Sequence, residues 1–291
     1  MNKSTTIKAY KHHIKRGIPM IHNTYDISVE GSVNNPTLTT YIIDSSESFI
    51  INERPMIIIC PGGGYCHVSD REGEMLALQF LSAGYHTAVL RYSVSPANYP
   101  TQLLELAKSV ALIREHAKEW HIIPDKIFIQ GSSAGGHLAA SYGCFWKKDF
   151  IVQQTLKAGT DPELLRPNGL ILSYPVITSG EHAHKGSFVE LLGDRYQELV
   201  DEMSLEFKVN SDTPKTFLWH TFEDDTVPVE NTMLFMQALK AKSIPFECHI
   251  YPKGVHGLSL GNELTLSPNK SELQLEIGTW IELAKTFVKN F

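Results

Sequence analysis

Cysteines are few in this sequence, and long apolar runs are missing. The four cysteines, Cys60, Cys66, Cys144 and Cys248, form no CxxC pair and show no metal-ligand spacing, which indicates unpaired thiols in a reducing compartment. No stretch of eighteen apolar residues occurs, and residues 1–17 carry basic residues without an apolar core. Neither a membrane span nor a signal peptide is therefore predicted, and we expect a cytoplasmic protein.

A strong charge of either sign is also missing. The formal net charge is −6 over 291 residues, and no run of lysine and arginine exceeds two residues. No nucleic acid and no membrane surface is therefore expected as a partner, and bulk charge is not expected to select the substrate. The composition leaves a homodimer open.

Internal repeats and low-complexity segments are missing as well. The 291 residues are 42% hydrophobic and 20% charged, which is typical of a globular protein large enough to bury most of its apolar surface. We expect one domain over residues 1–291.

From residue 56 onward, short apolar runs alternate with longer amphipathic stretches. This pattern predicts an α/β fold in which a mostly parallel central sheet carries helices on both faces. Strands are predicted at 56–60, 86–92, 126–130, 169–175, 215–221 and 246–252. Helices are predicted near 70–83, 102–120, 135–146, 229–242 and 271–290.

Two segments depart from this alternation. In the first fifty residues, TYDISVE and TLTTYIIDSS follow each other without a helix between them, which predicts antiparallel strands at the start of the sheet. Residues 177–213 contain no strand pattern. We expect them to form a small lid insertion over one edge of the sheet.

The stretch KIFIQGSSAGGHLAA, residues 126–140, contains the pattern G-x-S-x-G at Gly131, Ser133 and Gly135. A buried strand precedes the pattern and a helix follows it, which is the setting of a nucleophile held on a strained turn. The two glycines lack the Cβ atoms that would collide where strand and helix pass closest. This predicts that Ser133 is presented as a nucleophile at the sheet edge.

The residues beside Ser133 have different predicted roles. The start of a helix leaves backbone N–H groups unpaired, so the Ala134 N–H is placed to face an oxygen that becomes negative during attack. Ser132 is expected to point away and to do no chemistry. A plain loop with a helix cap is the alternative interpretation of this turn.

A base and an orienting carboxylate are expected after later strands, in the order Ser, Asp or Glu, His. His256 follows the last predicted strand and is flanked by Gly254 and Gly257, which permit a tight turn. Its loop lies at the carboxyl end of a strand, where open parallel sheets bind ligands. His256 is therefore the predicted base.

Three consecutive carboxylates, Glu223, Asp224 and Asp225, follow the strand that ends at Thr221. We choose Asp224, because Asp225 is closer to the next predicted helix and is expected to face solvent or cap that helix. Asp225 stays open as the alternative.

The glycines Gly62, Gly63 and Gly64 follow the first predicted parallel strand and let the backbone approach a substrate oxygen with its N–H groups inward. A phosphate-binding loop is disfavoured because neither G-x-G-x-x-G nor a following Gly-Lys-Ser/Thr occurs.

The segment 69–72, with sequence SDRE, is expected to be a capping box for the next helix. His182 and His184 are disfavoured as metal ligands because no third ligand is evident.

Four ordered motifs, PGGGY, GSSAGGHLAA, HTFEDDTVPVEN and GVHG, resemble those of the α/β-hydrolase carboxylesterases over roughly residues 50–290. More narrowly, they resemble the acetyl-esterase and lipase-like branch, often labelled as xylan-related or sugar-ester hydrolases. The hormone-sensitive-lipase pattern is different, since that branch carries His at the position of Pro61. The resemblance implies an α/β-hydrolase fold with Ser133 as nucleophile, Asp224 as acid, His256 as base, and Gly63, Gly64 and Ala134 as oxyanion donors.

The expected function is that of a serine carboxylesterase that hydrolyses short, acetyl-type esters of sugars or other small polar alcohols through an acyl-enzyme. Its partner is a small-molecule ester, and no metal or organic cofactor is expected. An arylformamidase-like amide hydrolase and a serine exopeptidase remain alternatives, although the exopeptidase calls for an N-terminal propeller-like domain. A non-catalytic binding protein is disfavoured, because all three triad residue types occur in order.

Overall fold

One sheet organises the molecule, which is described here by a computed structural model of residues 20–268 and 273–291. Its strands are β1 (Thr24–Asp26), β2 (Thr37–Tyr41), β3 (Arg54–Cys60), β4 (His86–Arg91), β5 (Ile122–Ser132), β6 (Gly169–Ser173), β7 (Lys215–Thr221) and β8 (Phe246–Tyr251). They lie in the order β1-β2-β4-β3-β5-β6-β7-β8. The β1–β2 and β2–β4 pairs are antiparallel and the others are parallel. The predicted α/β fold with an antiparallel start is confirmed.

Helices cover both faces of the sheet. They are α1 (Glu74–Ser82), α2 (Thr101–Glu115), α3 (Ala134–Phe145), α4 (Asp149–Thr155), α5 (Lys185–Leu192), α6 (Tyr196–Leu199), α7 (Glu230–Ala241) and α8 (Thr279–Lys289). Side chains alternate along β3, because successive residues of a strand point to opposite faces. Ile58 packs in the core cluster that includes α2, α3 and α7, whereas Ile57 and Ile59 pack against α1 and α8.

Two sequence predictions need correction here. The expected capping box at 69–72 is wrong, because Ser69 makes no side-chain capping hydrogen bond and a 3-10 turn, Asp70–Glu72, precedes α1. The helix predicted near 271–290 begins only at Thr279, since the Gln274 N–H binds the Gly261 carbonyl and holds the preceding segment in turns. Residues 271 and 272 of that prediction lie outside the described residues.

Residues 177–213, called the insertion below, connect β6 to β7 and hold α5, α6 and several 3-10 turns, with no strand. One buried side chain, Asn231 of α7, anchors the start of the insertion. Its amide oxygen accepts hydrogen bonds from the N–H groups of Ile177 and Thr178 at 2.8 and 3.0 Å. Its amide nitrogen donates to the carbonyl of His182 at 2.9 Å.

Across residues 20–268 and 273–291, every helix is too short or too polar to cross a bilayer.

Candidate active site

The turn between β5 and α3 holds Ser133 in a conformation that side chains rarely adopt. Its φ is 54° and its ψ is −120°, and a positive φ costs a non-glycine residue energy. The Ser133 N–H is bound to the Ser173 carbonyl on the neighbouring strand at 3.0 Å. Parallel pairing with β6 therefore holds the strained turn in place.

The glycines on either side of Ser133 are needed for close backbone approach. A Cβ on Gly131 would lie 2.2 Å from the Gly135 carbonyl oxygen, and one on Gly135 would lie 2.1 Å from the Cys60 carbonyl oxygen. Both distances are far shorter than any real contact. The prediction that these two glycines serve close packing is confirmed.

A continuous chain of hydrogen bonds joins the ends of three strands. The Ser133 hydroxyl lies 2.8 Å from His256 Nε2, and His256 Nδ1 lies 2.7 Å from Asp224 Oδ2. With the Nδ1 proton donated to the carboxylate, Nε2 is left to accept the Ser133 proton. The structure thus brings together the three side chains that the sequence singled out.

His256 owes its position to the loop after β8. Gly254 and Gly257 both have positive φ, 134° and 73°, so the predicted role of these glycines in a tight turn is confirmed. The ring of Tyr174 packs edge-on against the His256 imidazole, with their centroids 5.1 Å apart. The imidazole is therefore fixed both by its loop and by an aromatic neighbour.

The carboxylate in this chain is that of Asp224, which is buried, whereas Asp225 is exposed. Asp224 Oδ1 accepts hydrogen bonds from the N–H groups of Thr226 and Val227 at 3.1 and 2.9 Å. Burial alone would raise the pKa of Asp224, but hydrogen bonds from His220 and His256 outweigh burial and hold that pKa well below its usual range. Asp224 is therefore ionised over the neutral pH range.

His220 is a neighbour of this carboxylate that sequence reasoning missed. It is fully buried in β7, and its Nε2 lies 3.3 Å from Asp224 Oδ2 and 2.9 Å from the Val227 carbonyl oxygen. Because that carbonyl can only accept, Nε2 carries the proton, and Nδ1 accepts from the Thr232 hydroxyl at 2.8 Å. The only signal in the sequence was a histidine four residues before the chosen aspartate.

The glycine loop after β3 lies directly beside Ser133. A Cβ on Gly62 would be 3.0 Å from Ser133 Cβ, and a Cβ on Gly63 would be 2.1 Å from the His67 carbonyl oxygen. Gly63 and Gly64 both have positive φ, 125° and 62°. Among the described residues no acceptor pairs with the N–H groups of Gly63 and Gly64.

Ala134 occupies the first position of α3, where a backbone N–H has no partner within the helix. Within the described residues, the N–H groups of Gly63, Gly64 and Ala134 thus have no acceptor and belong to two segments that adjoin Ser133. Ser132 is fully buried, and its hydroxyl accepts a hydrogen bond from the Gln130 amide at 3.0 Å.

The insertion reaches this site through the start of α5. The Ser187 hydroxyl lies 4.0 Å from the Cβ position of Gly64, and His184 caps α5 by accepting the Ser187 N–H at 3.3 Å. Burial, and then the neighbouring His256, lower the pKa of His184. His184 thus serves as a helix cap close to the triad chain.

Within the described ranges, no group of three or more His, Cys, Asp or Glu side chains could hold a metal ion.

Two curated relatives and a family model resemble this chain. The BD-FAE family model matches residues 49–239. The endo-1,4-beta-xylanase B of Butyrivibrio fibrisolvens is 38% identical over 218 residues, which are 72% of this chain and 33% of that protein. The acetylxylan esterase of Xylanibacter ruminicola is 29% identical over 233 residues, which are 78% of this chain and 45% of that protein. The chain thus spans less than half the length of both relatives.

Solved structures extend the likeness to nearly the whole chain. The acetyl ester-xyloside bifunctional hydrolase of Caldicellulosiruptor lactoaceticus has a TM-score of 0.76 and 39% identity, and the match covers 88% of each chain. A carboxylesterase of Lactobacillus plantarum has a TM-score of 0.79 and 26% identity, covering 94% of this chain and 98% of its own. The resemblance to the α/β-hydrolase carboxylesterases is confirmed. The chain belongs to the BD-FAE family of α/β hydrolases.

Proposed function

We propose that this chain is a serine carboxylesterase that transfers an acyl group to Ser133 and then to water. The observation that carries the proposal is the hydrogen-bonded chain from Ser133 through His256 to Asp224, with donor–acceptor distances of 2.8 and 2.7 Å. A hydroxyl, a base and an orienting carboxylate within such distances are what nucleophilic catalysis on an ester requires.

The proposed mechanism has two halves. His256 Nε2 takes the Ser133 proton as Ser133 Oγ attacks the ester carbonyl, and the N–H groups of Gly63, Gly64 and Ala134 stabilise the resulting oxyanion. His256 then returns the proton to the leaving alcohol. Water, activated by the same imidazole, attacks the acyl-enzyme and releases the acid. Asp224 stays ionised throughout and stabilises the imidazolium.

The proposed substrates are short acyl esters, acetyl to butyryl, of sugars or other small polar alcohols. Two relatives support this class by their names, one an acetylxylan esterase and the other an acetyl ester-xyloside hydrolase. The insertion supports it by its composition, because Phe188, Leu191 and Leu192 are buried in the main core, which leaves only Val189 and Phe207 as exposed large apolar side chains of this segment. A lid for long acyl chains would instead turn a wide apolar face to the site.

Acyl-length profiling tests the proposal. We expect kcat/KM on p-nitrophenyl esters to be highest from acetate to butyrate and low beyond about eight carbons, since each unburied methylene forgoes ~0.8 kcal/mol. Acetylated xylo-oligosaccharides should be deacetylated, and a fluorophosphonate should label Ser133. A rate that kept rising from butyrate to laurate would indicate a lipase. Faster turnover of a formanilide than of the matched ester would indicate an amide hydrolase, and the absence of labelling would indicate a binding protein.

A further inference from the structure

Glu72 is a buried carboxylate that the mechanism above does not use. Only 4% of its surface is exposed, and a buried charge is tolerated only where donors satisfy it. Two donors do so: the Gly62 N–H binds Oε2 at 2.8 Å and the Tyr174 hydroxyl binds Oε1 at 2.5 Å. Glu72 thus joins two segments that are far apart in the chain.

The first of these segments is the glycine loop. The hydrogen bond to Glu72 occupies the Gly62 N–H and fixes the orientation of that peptide group. The Gly62 Cα lies against the nucleophile, with its Cβ position 3.0 Å from Ser133 Cβ. The next two N–H groups, those of Gly63 and Gly64, are the proposed oxyanion donors. Such donors must lie within ~3 Å of the developing oxyanion, so the tilt of the Gly62 peptide decides whether they reach it.

The second segment is the His256 loop, which Glu72 reaches through Tyr174. The Tyr174 hydroxyl accepts the Ser259 N–H at 3.0 Å while it donates to Glu72. Its ring packs against the imidazole of His256. Burial, and then the charge of Glu72, raise the pKa of Tyr174, so the hydroxyl keeps the proton that it donates.

Arg71, the residue before Glu72, contacts the same loop. Its guanidinium donates to the carbonyl oxygens of Gly257 at 2.9 Å and Thr265 at 2.6 Å. The Ser259 hydroxyl donates to the Arg71 carbonyl at 3.0 Å. The 3-10 turn Asp70–Glu72 therefore binds the His256 loop by backbone and side-chain contacts together.

We propose that Glu72 is a positioning residue for ester hydrolysis. Through Gly62 and Tyr174 it holds the glycine loop at a fixed position relative to His256. This inference rests on the proposed role of Ser133. It assigns a function to the segment that resembles a capping box in the sequence.

Glu72→Gln tests the inference with little change in shape. The amide oxygen can accept from only one of the two donors, the Gly62 N–H or the Tyr174 hydroxyl, so the glycine loop and Tyr174 are no longer held together. We expect kcat for p-nitrophenyl acetate to fall about 10²-fold with KM within about threefold, the effect of a misplaced catalytic group. Glu74→Gln, two residues further on and paired with the half-buried Arg91, is the matched control and should retain wild-type kcat.

A second variant and a second readout separate positioning from general stability. Tyr174→Phe removes one oxygen, so it should lower kcat as well. The loss in the double variant should be smaller than the product of the two single losses, because both variants remove the contact between Glu72 and Tyr174. The Ki of a trifluoromethyl ketone, which forms a tetrahedral oxyanion on serine, should rise by the factor by which kcat/KM falls. If Glu72→Gln does not fold, Tyr174→Phe carries the test with the same two readouts.

The outcomes distinguish this inference from the proposed function. If the wild-type protein is labelled by a fluorophosphonate and hydrolyses esters, but both variants match Glu74→Gln in kcat, the inference alone is wrong. A lower kcat with an unchanged Ki of the ketone would also overturn it, because the defect would then lie outside the oxyanion site. If the wild-type protein is neither labelled nor active, the proposed function fails first.

Discussion

The turn that carries Ser133 and the loop that carries Gly63 and Gly64 meet at one site, but they are held in different ways. Five consecutive residues, Gly131–Gly135, build the turn, and its shape follows from backbone contacts that only glycine allows. The glycine loop also has such a contact, at Gly63, but it is held from outside as well: Glu72 accepts the Gly62 N–H, and His137 Nδ1 lies 3.0 Å from the hydroxyl of Tyr65. A short motif therefore specifies the first region, whereas the second depends on distant residues.

The largest effect should come from the turn itself. Ser133→Ala should reduce esterase activity about 10⁶-fold, the typical cost of removing a triad nucleophile, with the fold intact. Ser132→Ala is the control, because that buried hydroxyl contacts Gln130 and not His256. Steady-state kinetics on p-nitrophenyl acetate with circular dichroism would check both variants. An exchange of the two outcomes would shift the nucleophile by one residue.

The next effect distinguishes two neighbouring carboxylates after β7. Asp224→Asn should lower kcat about 10⁴-fold, because an amide favours the wrong tautomer of His256. Asp225→Asn should have little effect, since its side chain is exposed. The same rate assay measures both variants, and equal, mild losses would contradict the choice of Asp224.

The difference between the Ser133 turn and the glycine loop can be tested by the unfolding free energies of glycine-to-alanine variants in each. Gly135→Ala forces a Cβ against backbone oxygen and should cost about 3 kcal/mol of unfolding free energy. Gly64→Ala meets nothing closer than 3.8 Å but keeps a φ of 62°, so strain alone should cost about 1 kcal/mol. Thermal unfolding should show Tm drops of roughly 2–4 °C per kcal/mol. Equal drops would mean that the turn is no more constrained than the loop.

The smallest expected effect on kcat comes from His220, the buried neighbour of the Asp224 carboxylate. His220→Asn should lower kcat about tenfold, because a lost hydrogen bond to a charged group costs ~1.5 kcal/mol. His249→Asn is the control, since that ring is partly exposed in β8 and pairs with Glu247. The pH dependence of kcat should also change for His220→Asn alone. An unchanged kcat and pH profile would show that the two backbone donors suffice to hold Asp224.

The sequence allowed the fold and the gathering of Ser133, Asp224 and His256 to be predicted, because strand ends in a parallel sheet share one edge. Glu72 and His220 could not be assigned in this way. The hydrogen bond between Glu72 and Tyr174 joins residues 102 positions apart, and no local pattern encodes it. Glu72 follows the glycine loop in the sequence, but its spacing from Ser69 predicts a helix-capping box, because capping patterns involve near neighbours only. In the structure, Glu72 instead binds Gly62 and Tyr174 at the edge of the sheet.

The anchoring of the insertion by Asn231 has a consequence for protein engineering. One amide side chain binds the backbone at Ile177, Thr178 and His182, so the entry of the insertion is fixed to α7 without any strand pairing. Beyond that anchor, Phe188, Leu191 and Leu192 pack into the main core, so these apolar positions are tied to the rest of the fold as well. The anchor is therefore a graft junction, and a segment exchanged there should keep its contacts to Asn231 as well as the apolar side chains that fill the core.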